Sequence, residues 1–202
     1  MALDQERLAE LQGTLDFLRA AERLKVMTRS GYTSSGAPES VAEHSWRLCL
    51  MALVLHEHFR DVDLARLLSM CVVHDLGEAI GGDVPAPEQA RRIASDPSST
   101  KAAQEREDLL TLLEPLPERT RNEIVVLWDE YESAVTPEAR LAKALDKLET
   151  ILQHTQGKNP ADFDYRFNLG YGVAFTRDHP VIVALRELLD RETARRADAS
   201  GA

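Results

Sequence analysis

Cysteine is nearly missing from this chain: Cys49 and Cys71 are its only two in 202 residues, and no C-x-x-C pair occurs. A disulfide framework is therefore not indicated. Long apolar runs are also lacking. None approaches the roughly 18 residues that a bilayer-spanning helix needs, so no membrane partner is expected. Basic residues are outnumbered, 24 Lys and Arg against 34 Asp and Glu, for a net charge of −10. That balance argues against a polymeric nucleic acid or an anionic membrane surface as partner. A small anionic substrate stays open, because one cation with one or two arginines reverses the local potential. The opening MALDQERLAE is charged and has no apolar core of the secretory kind. The expected compartment is the cytoplasm.

What the chain does have is helical periodicity. Hydrophobic residues make up 44% and charged residues 29%, enough for a buried core and too apolar for disorder away from the ends. Leu8, Leu11, Leu15 and Leu18 recur at three- and four-residue spacing, which predicts an amphipathic helix over 4–26. These leucines suit a dimer interface or ordinary core packing equally well. A loop rich in Gly, Ser and Thr follows and carries Arg29. Ser40 and Glu43 form a capping box for a helix to about Phe59. Asp61 or Asp63 caps the next, from Leu64 to about Ile80, and Gly81-Gly82 stops it. Pro85, Pro87 and Pro97 make 83–100 a long loop. Ser99 or Thr100 starts a helix through Leu113, Pro115 and Pro117 break it, and another runs through Tyr131. Thr136-Pro137 starts a helix to about Gln156. Residues 157–178 resist assignment. A last helix spans about 180–195, and 196–202 is expected to fray. The expected fold is all-α: one domain over 1–202, a bundle of about seven or eight helices.

Four polar residues fall on faces that this pattern marks as internal. His44 is followed by Leu48, Met51 and Leu55 at +4, +7 and +11. His74-Asp75 lies late in its helix, with Leu67 and Cys71 on the same face. Glu78 stands four residues after His74, and Asp83 follows the Gly-Gly turn. Asp146 lies in KALDKLETIL, whose Leu145, Leu148 and Leu152 are core positions. Buried charges need partners. One divalent cation held by two imidazoles and two carboxylates satisfies all four ligands, and this mixed shell does not choose among transition metals. Singly, each residue has an ordinary reading. His44 suits a satisfied core histidine, Asp146 a surface acid paired with Lys143 or Lys147, and Glu78 and Asp83 solvated acids.

His44, His74-Asp75 and Asp146 together match the H…HD…D signature, and the chain resembles the HD-domain metal-dependent phosphohydrolases. The segment HDLGEAIGGDVPAP (74–87) is similar to the branch of bacterial 5′-deoxynucleotidases and the eukaryotic HD domain-containing protein 2. ESVAEHSWR and LWDEYESAVTPEARLAKALDKLETIL resemble the same branch, and the likeness covers roughly 15–190. It implies that His44, His74, Asp75 and Asp146 hold one divalent metal: Co, Mn, Zn, Fe, Ni or Cu, with Mg a further candidate. It implies catalytic roles for Glu78 and Asp83 on an attacking water and a leaving oxygen, and a phosphate clamp at Arg29. The implied substrate is a nucleoside 5′-monophosphate, and the implied assembly a homodimer. Ser30 departs from the bacterial pattern, which has a tryptophan crowding the sugar 2′ position.

Other candidates fall away on the sequence. Cys71 fits a core thiol better than a ligand. His58 lies about 21 Å along the helix from His44. His154 and His179 read as surface or capping residues, and Trp128 and Tyr131 as packing. The absence of further well-placed histidines disfavours a two-metal site. Two other functions remain open: an HD hydrolase of another phosphorylated metabolite, such as a pyrophosphorylated nucleotide, and a metal-stabilised helical binding module without catalysis.

Overall fold

The computed structural model describes residues 4–84 and 101–200. Helix α1 (Gln5–Ala21) is capped by Asp4, whose carboxylate accepts the Arg7 N–H, and runs into a 3₁₀ turn over Glu22–Lys25. Its leucine stripe does not enter the core: Leu8, Leu11, Leu15 and Leu18 are 43–56% exposed. Phe17, Ala20 and Leu24 make the inward contact instead.

The Gly- and Ser-rich stretch after α1 is more ordered than a loop. Strands β1 (Thr28–Tyr32) and β2 (Pro38–Ser40) pair antiparallel, with Thr28 opposite Ser40 and Tyr32 opposite Pro38. Helix α2 (Val41–Leu55) follows directly. Ser40 accepts the Glu43 N–H, and Glu43 accepts the Ser40 N–H at 2.7 Å, so the expected capping box is present. A 3₁₀ turn over His56–His58 closes this segment.

Helix α3 (Leu64–Val73) is capped by Asp63. It ends sooner than its apolar period suggested. Tight turns over 74–77 follow, with Leu76 N–H donating to Val73 and Glu78 N–H to Asp75, before the short α4 (Glu78–Gly81). Glu78 and His74 therefore do not share one continuous helix. Glycine permits the close packing here: a Cβ on Gly77 would lie 2.7 Å from the Glu105 carbonyl oxygen. Gly82 ends α4 at φ +76°, a conformation that favours glycine. Most of the expected loop over 83–100, and its Ser99 or Thr100 cap, lies outside the described residues.

Helix α5 (Lys101–Leu113) leads to α6 (Glu118–Ser133), then α7 (Pro137–Gln156), capped by Thr136 with proline at its first position. The unassigned 157–178 contains α8 (Tyr165–Gly170) and a 3₁₀ turn over Val173–Phe175. Helix α9 (Pro180–Ser200) passes Arg195, where fraying was expected; Thr193 and Ala197 are buried along it and hold it in place.

Two apolar clusters fill the bundle. Leu48, Leu67, Met70, Leu145, Leu148 and Ile182 join α2, α3, α7 and α9. Val73, Leu76, Leu109, Leu113 and Trp128 join the end of α3 to α5 and α6. Helix α7 is the central element, packed on α2, α3, α6 and α9. The fold is all-α, and the hairpin is its one sheet among the described residues. No described helix is long and apolar enough to cross a membrane.

Candidate metal and phosphate site

The first turn of α2, the α3–α4 break and the middle of α7 meet at one buried point. His44 is fully buried on α2 and His74 is 5% exposed at the end of α3. The Nε2 atoms of both rings are buried and have no hydrogen-bond partner among the described residues. His74 Nε2 lies 3.0 Å from Asp75 Oδ2, and His44 Nε2 lies 3.8 Å from the same oxygen and 3.2 Å from Asp146 Oδ1. Ligand atoms of His44, His74 and Asp75 all fall within 4.8 Å of one another.

These residues fit a cation. Two buried imidazole nitrogens converging on two carboxylates are a donor set that a shared cation suits. Ligands at about 2.1 Å from a metal stand about 3.0–3.4 Å apart on neighbouring corners, the scale of the shorter separations here. The break after Val73 contributes directly. It frees the Cys71 carbonyl to accept His74 Nδ1–H at 3.0 Å, and Trp128 Nε1–H donates to the His74 carbonyl at 3.0 Å. That leaves His74 Nε2 with its lone pair facing inward. Cys71 serves through its backbone; burial pushes its thiol up, out of the range of a ready ligand.

Each charged member is tuned by its neighbours. Burial opposes a proton on His44, and so does Arg29, but Glu149 and Asp146 outweigh both and raise the imidazole to about 10. A cation competes with that proton for the same lone pair. Burial opposes the charge on Asp75, yet His74, Arg29 and His44 hold its carboxyl well below the usual range. Asp146 shifts the same way: burial is outweighed by Lys147 and the two histidines. Its Oδ2 accepts from Tyr131 Oη at 2.9 Å and Lys147 Nζ at 2.7 Å, which leaves Oδ1 toward His44.

Arg29 reaches the site from β1. Its Nη1 donates to Asp75 at 3.1 Å and its Nη2 to Thr150 Oγ1 at 3.2 Å. Burial disfavours its charge, but Asp75, Asp83, Asp146 and Glu78 more than offset this and keep the guanidinium ionised. All four acids named from the sequence thus act on the one arginine named there. Glu78 is buried at the start of α4, and Asp83 is half-buried just beyond Gly82.

The structure also supplies residues that the motif did not flag. Glu149, fully buried, hydrogen-bonds His44 Nδ1 and accepts from Arg47 Nε at 2.6 Å. Glu39 stands 3.7 Å from Arg47 Nη2 and 3.8 Å from Arg29 Nε. Their sequence signals were their place in ESVAEHSWR and LDKLETIL and, for two of them, spacing: Arg47 follows His44 by three and Glu149 follows Asp146 by three. Tyr131, read as packing, also carries a hydrogen bond to Asp146. His154 is not a surface residue; it is buried, with Nδ1 3.0 Å from Asn168 Oδ1. His179 does act at a helix start, where its Nδ1 accepts the Val181 N–H at 3.3 Å.

Comparison with known proteins places the chain in a family. The HD-domain family profile matches residues 21–185. The 5′-deoxynucleotidase HDDC2 of Bos taurus is 34% identical over 191 residues, covering 93% of this chain and 88% of its own. Its Homo sapiens counterpart is 33% identical over 181 residues, covering 88% and 85%. Among solved structures, a predicted metal-dependent phosphohydrolase from Magnetospirillum magnetotacticum MS-1 superposes with a TM-score of 0.77 at 27% identity, covering 93% of this chain and 94% of that one. With its fold, its His-His-Asp cluster and this profile in agreement, the chain belongs to the HD-domain family.

Proposed function

We propose that this protein is a metal-dependent phosphomonoesterase that releases phosphate from ribo- or deoxyribonucleoside 5′-monophosphates. The observation that carries the reading is the pair of orphaned, buried Nε2 atoms of His44 and His74 facing Asp75 and Asp146 beside an ionised arginine. Relatives named 5′-deoxynucleotidases support the choice of substrate.

In this reading His44, His74, Asp75 and Asp146 hold one divalent ion from the set Co, Mn, Zn, Fe, Ni or Cu, with Mg a further candidate. Such an ion, when bound, supplies Lewis acidity toward phosphate and lowers the pKa of a bound water. The rest of the chemistry falls to the chain. Arg29 turns its Nη atoms from Asp75 and Thr150 to two phosphate oxygens, a fork geometry that suits that dianion. Glu78 orients the attacking water and takes its proton as the new O–P bond forms. Asp83 gives a proton to the 5′-oxygen as the old P–O bond breaks, or exchanges roles with Glu78. Ser30 is exposed and small, so nothing at that position crowds a 2′-hydroxyl.

The test is phosphate release from a panel of nucleotides with several divalent metals. Monophosphates are expected to turn over, and Glu78→Ala to lose more than a hundredfold in rate with metal retained. Pyrophosphate as product, or activity confined to di- and triphosphates, overturns the substrate class. An unchanged rate in Glu78→Ala removes that residue from the mechanism, and no turnover with any metal leaves a binding module. The exposed leucine stripe of α1 supports a homodimer, and two free cysteines suit the reducing cytoplasm.

A further inference from the structure

Two helices contribute to this site in the same way. On α2, His44 faces the metal position and Arg47 follows one turn later. On α7, Asp146 faces it and Glu149 follows one turn later. The second members close on each other, with Arg47 Nε donating to Glu149 Oε1 at 2.6 Å. The other Glu149 oxygen hydrogen-bonds His44 Nδ1, and both partners are completely buried.

A carboxylate against Nδ1 does two things to a neutral imidazole. It fixes the proton on Nδ1, so the lone pair sits on Nε2, and it increases the donor strength of that lone pair. The two candidate histidine ligands differ in this respect. His74 Nδ1–H donates to the neutral Cys71 carbonyl at 3.0 Å, while His44 alone faces a full negative charge. A carboxylate this deep is costly without a partner. Arg47 is that partner, and it is tied in turn to Glu39 at 3.7 Å.

We propose that Glu149, braced by Arg47, is the positioning residue that makes His44 the stronger of the two histidine ligands and sets the affinity of the site for its metal. Glu149 touches neither substrate nor metal; it acts through the imidazole. The inference rests on the metal reading above, and the experiment separates the two.

The full-length chain, stripped with chelator, is titrated with Co²⁺ and followed by its visible d–d absorption. Glu149→Gln is expected to weaken Co²⁺ binding by about 10–100-fold and to alter the band shape, and Glu149→Asp to recover part of the loss. A merely structural role would lower thermal stability and leave the spectrum of the bound cobalt unchanged. A second measurement needs no variant. In ¹⁵N-labelled wild-type protein, the His44 Nδ1 proton is expected at low field, protected from exchange and retained on addition of Zn²⁺, while the Nε2 resonances of His44 and His74 move. Equal cobalt binding with identical spectra in wild type and Glu149→Gln overturns the inference alone. So does a zinc-loaded His44 ring that has no proton on Nδ1. A wild-type chain that takes up no cobalt overturns the metal reading, and this inference with it.

Discussion

Asp146 has one oxygen occupied by Tyr131 and Lys147 and the other turned toward His44. Surroundings of this kind decide how each side chain titrates. His44 binds its proton more tightly in the folded chain, near pH 10, than an unfolded histidine does, near about 6.5. A raised pKa of this sort adds stability that is complete below the unfolded value and is lost as pH rises through the folded one. In chelator, the melting temperature is therefore expected to fall between about pH 6.5 and 10. Saturating zinc should flatten that slope, because the metal occupies the lone pair. A flat profile in chelator would count against the His44–Glu149–Asp146 contacts. The four candidate ligands were legible because they break an apolar face and match a family signature. Glu149 and Arg47 were not: one charged residue a turn beyond a ligand reads the same whether it faces solvent or a partner helix. Only the packing of α2 on α7 decides that.

At the scale of elements, the longer helices were readable from their period and caps, the short α8 was not, and two further surprises came where period is a poor guide. The hairpin β1–β2 has no alternating apolar pattern. Its strands read Thr-Arg-Ser-Gly-Tyr and Pro-Glu-Ser, and it is held from outside: Gln153 Nε2 donates to the Tyr32 carbonyl at 2.6 Å, and Gly31 packs on His154. The α3–α4 break is hidden by an apolar spacing that continues through it at Val73, Leu76, Ala79 and Ile80, while the close approach to α5 forbids a side chain at Gly77. Alanine there would meet the Glu105 backbone at 2.7 Å; at Gly81 it would meet only the Asp108 carboxylate at 2.3 Å, a group able to swing away. Gly77→Ala should cost about 1–3 kcal/mol and Gly81→Ala clearly less, as measured by urea unfolding. The reverse order would mean that the turn, not the helix contact, limits the site.

For the whole molecule, the net charge of −10 keeps copies apart unless an apolar surface draws them together. Helix α1 offers one, with Leu8, Leu11, Leu15 and Leu18 all more than 40% exposed. Light scattering is expected to give twice the chain mass for the wild type and a single chain mass for the double variant Leu11→Glu, Leu15→Glu. Cobalt affinity should survive that change, because α1 contributes no residue to the metal cluster. A wild-type protein that is already monomeric would leave the stripe to some other partner.

The hairpin joins two tasks that the primary sequence keeps fifteen positions apart. Thr28 is paired with Ser40, and the Val41 N–H donates to the Met27 carbonyl at 2.9 Å, so the strand bearing Arg29 is welded to the first turn beneath His44. Local melting there frees Arg29 and the nearby imidazole together. Amides from Arg29 to Leu48 should therefore exchange with deuterium as one cooperative block, and the proposed phosphate clamp at Arg29 and the proposed metal ligand His44 should be lost in the same fluctuation.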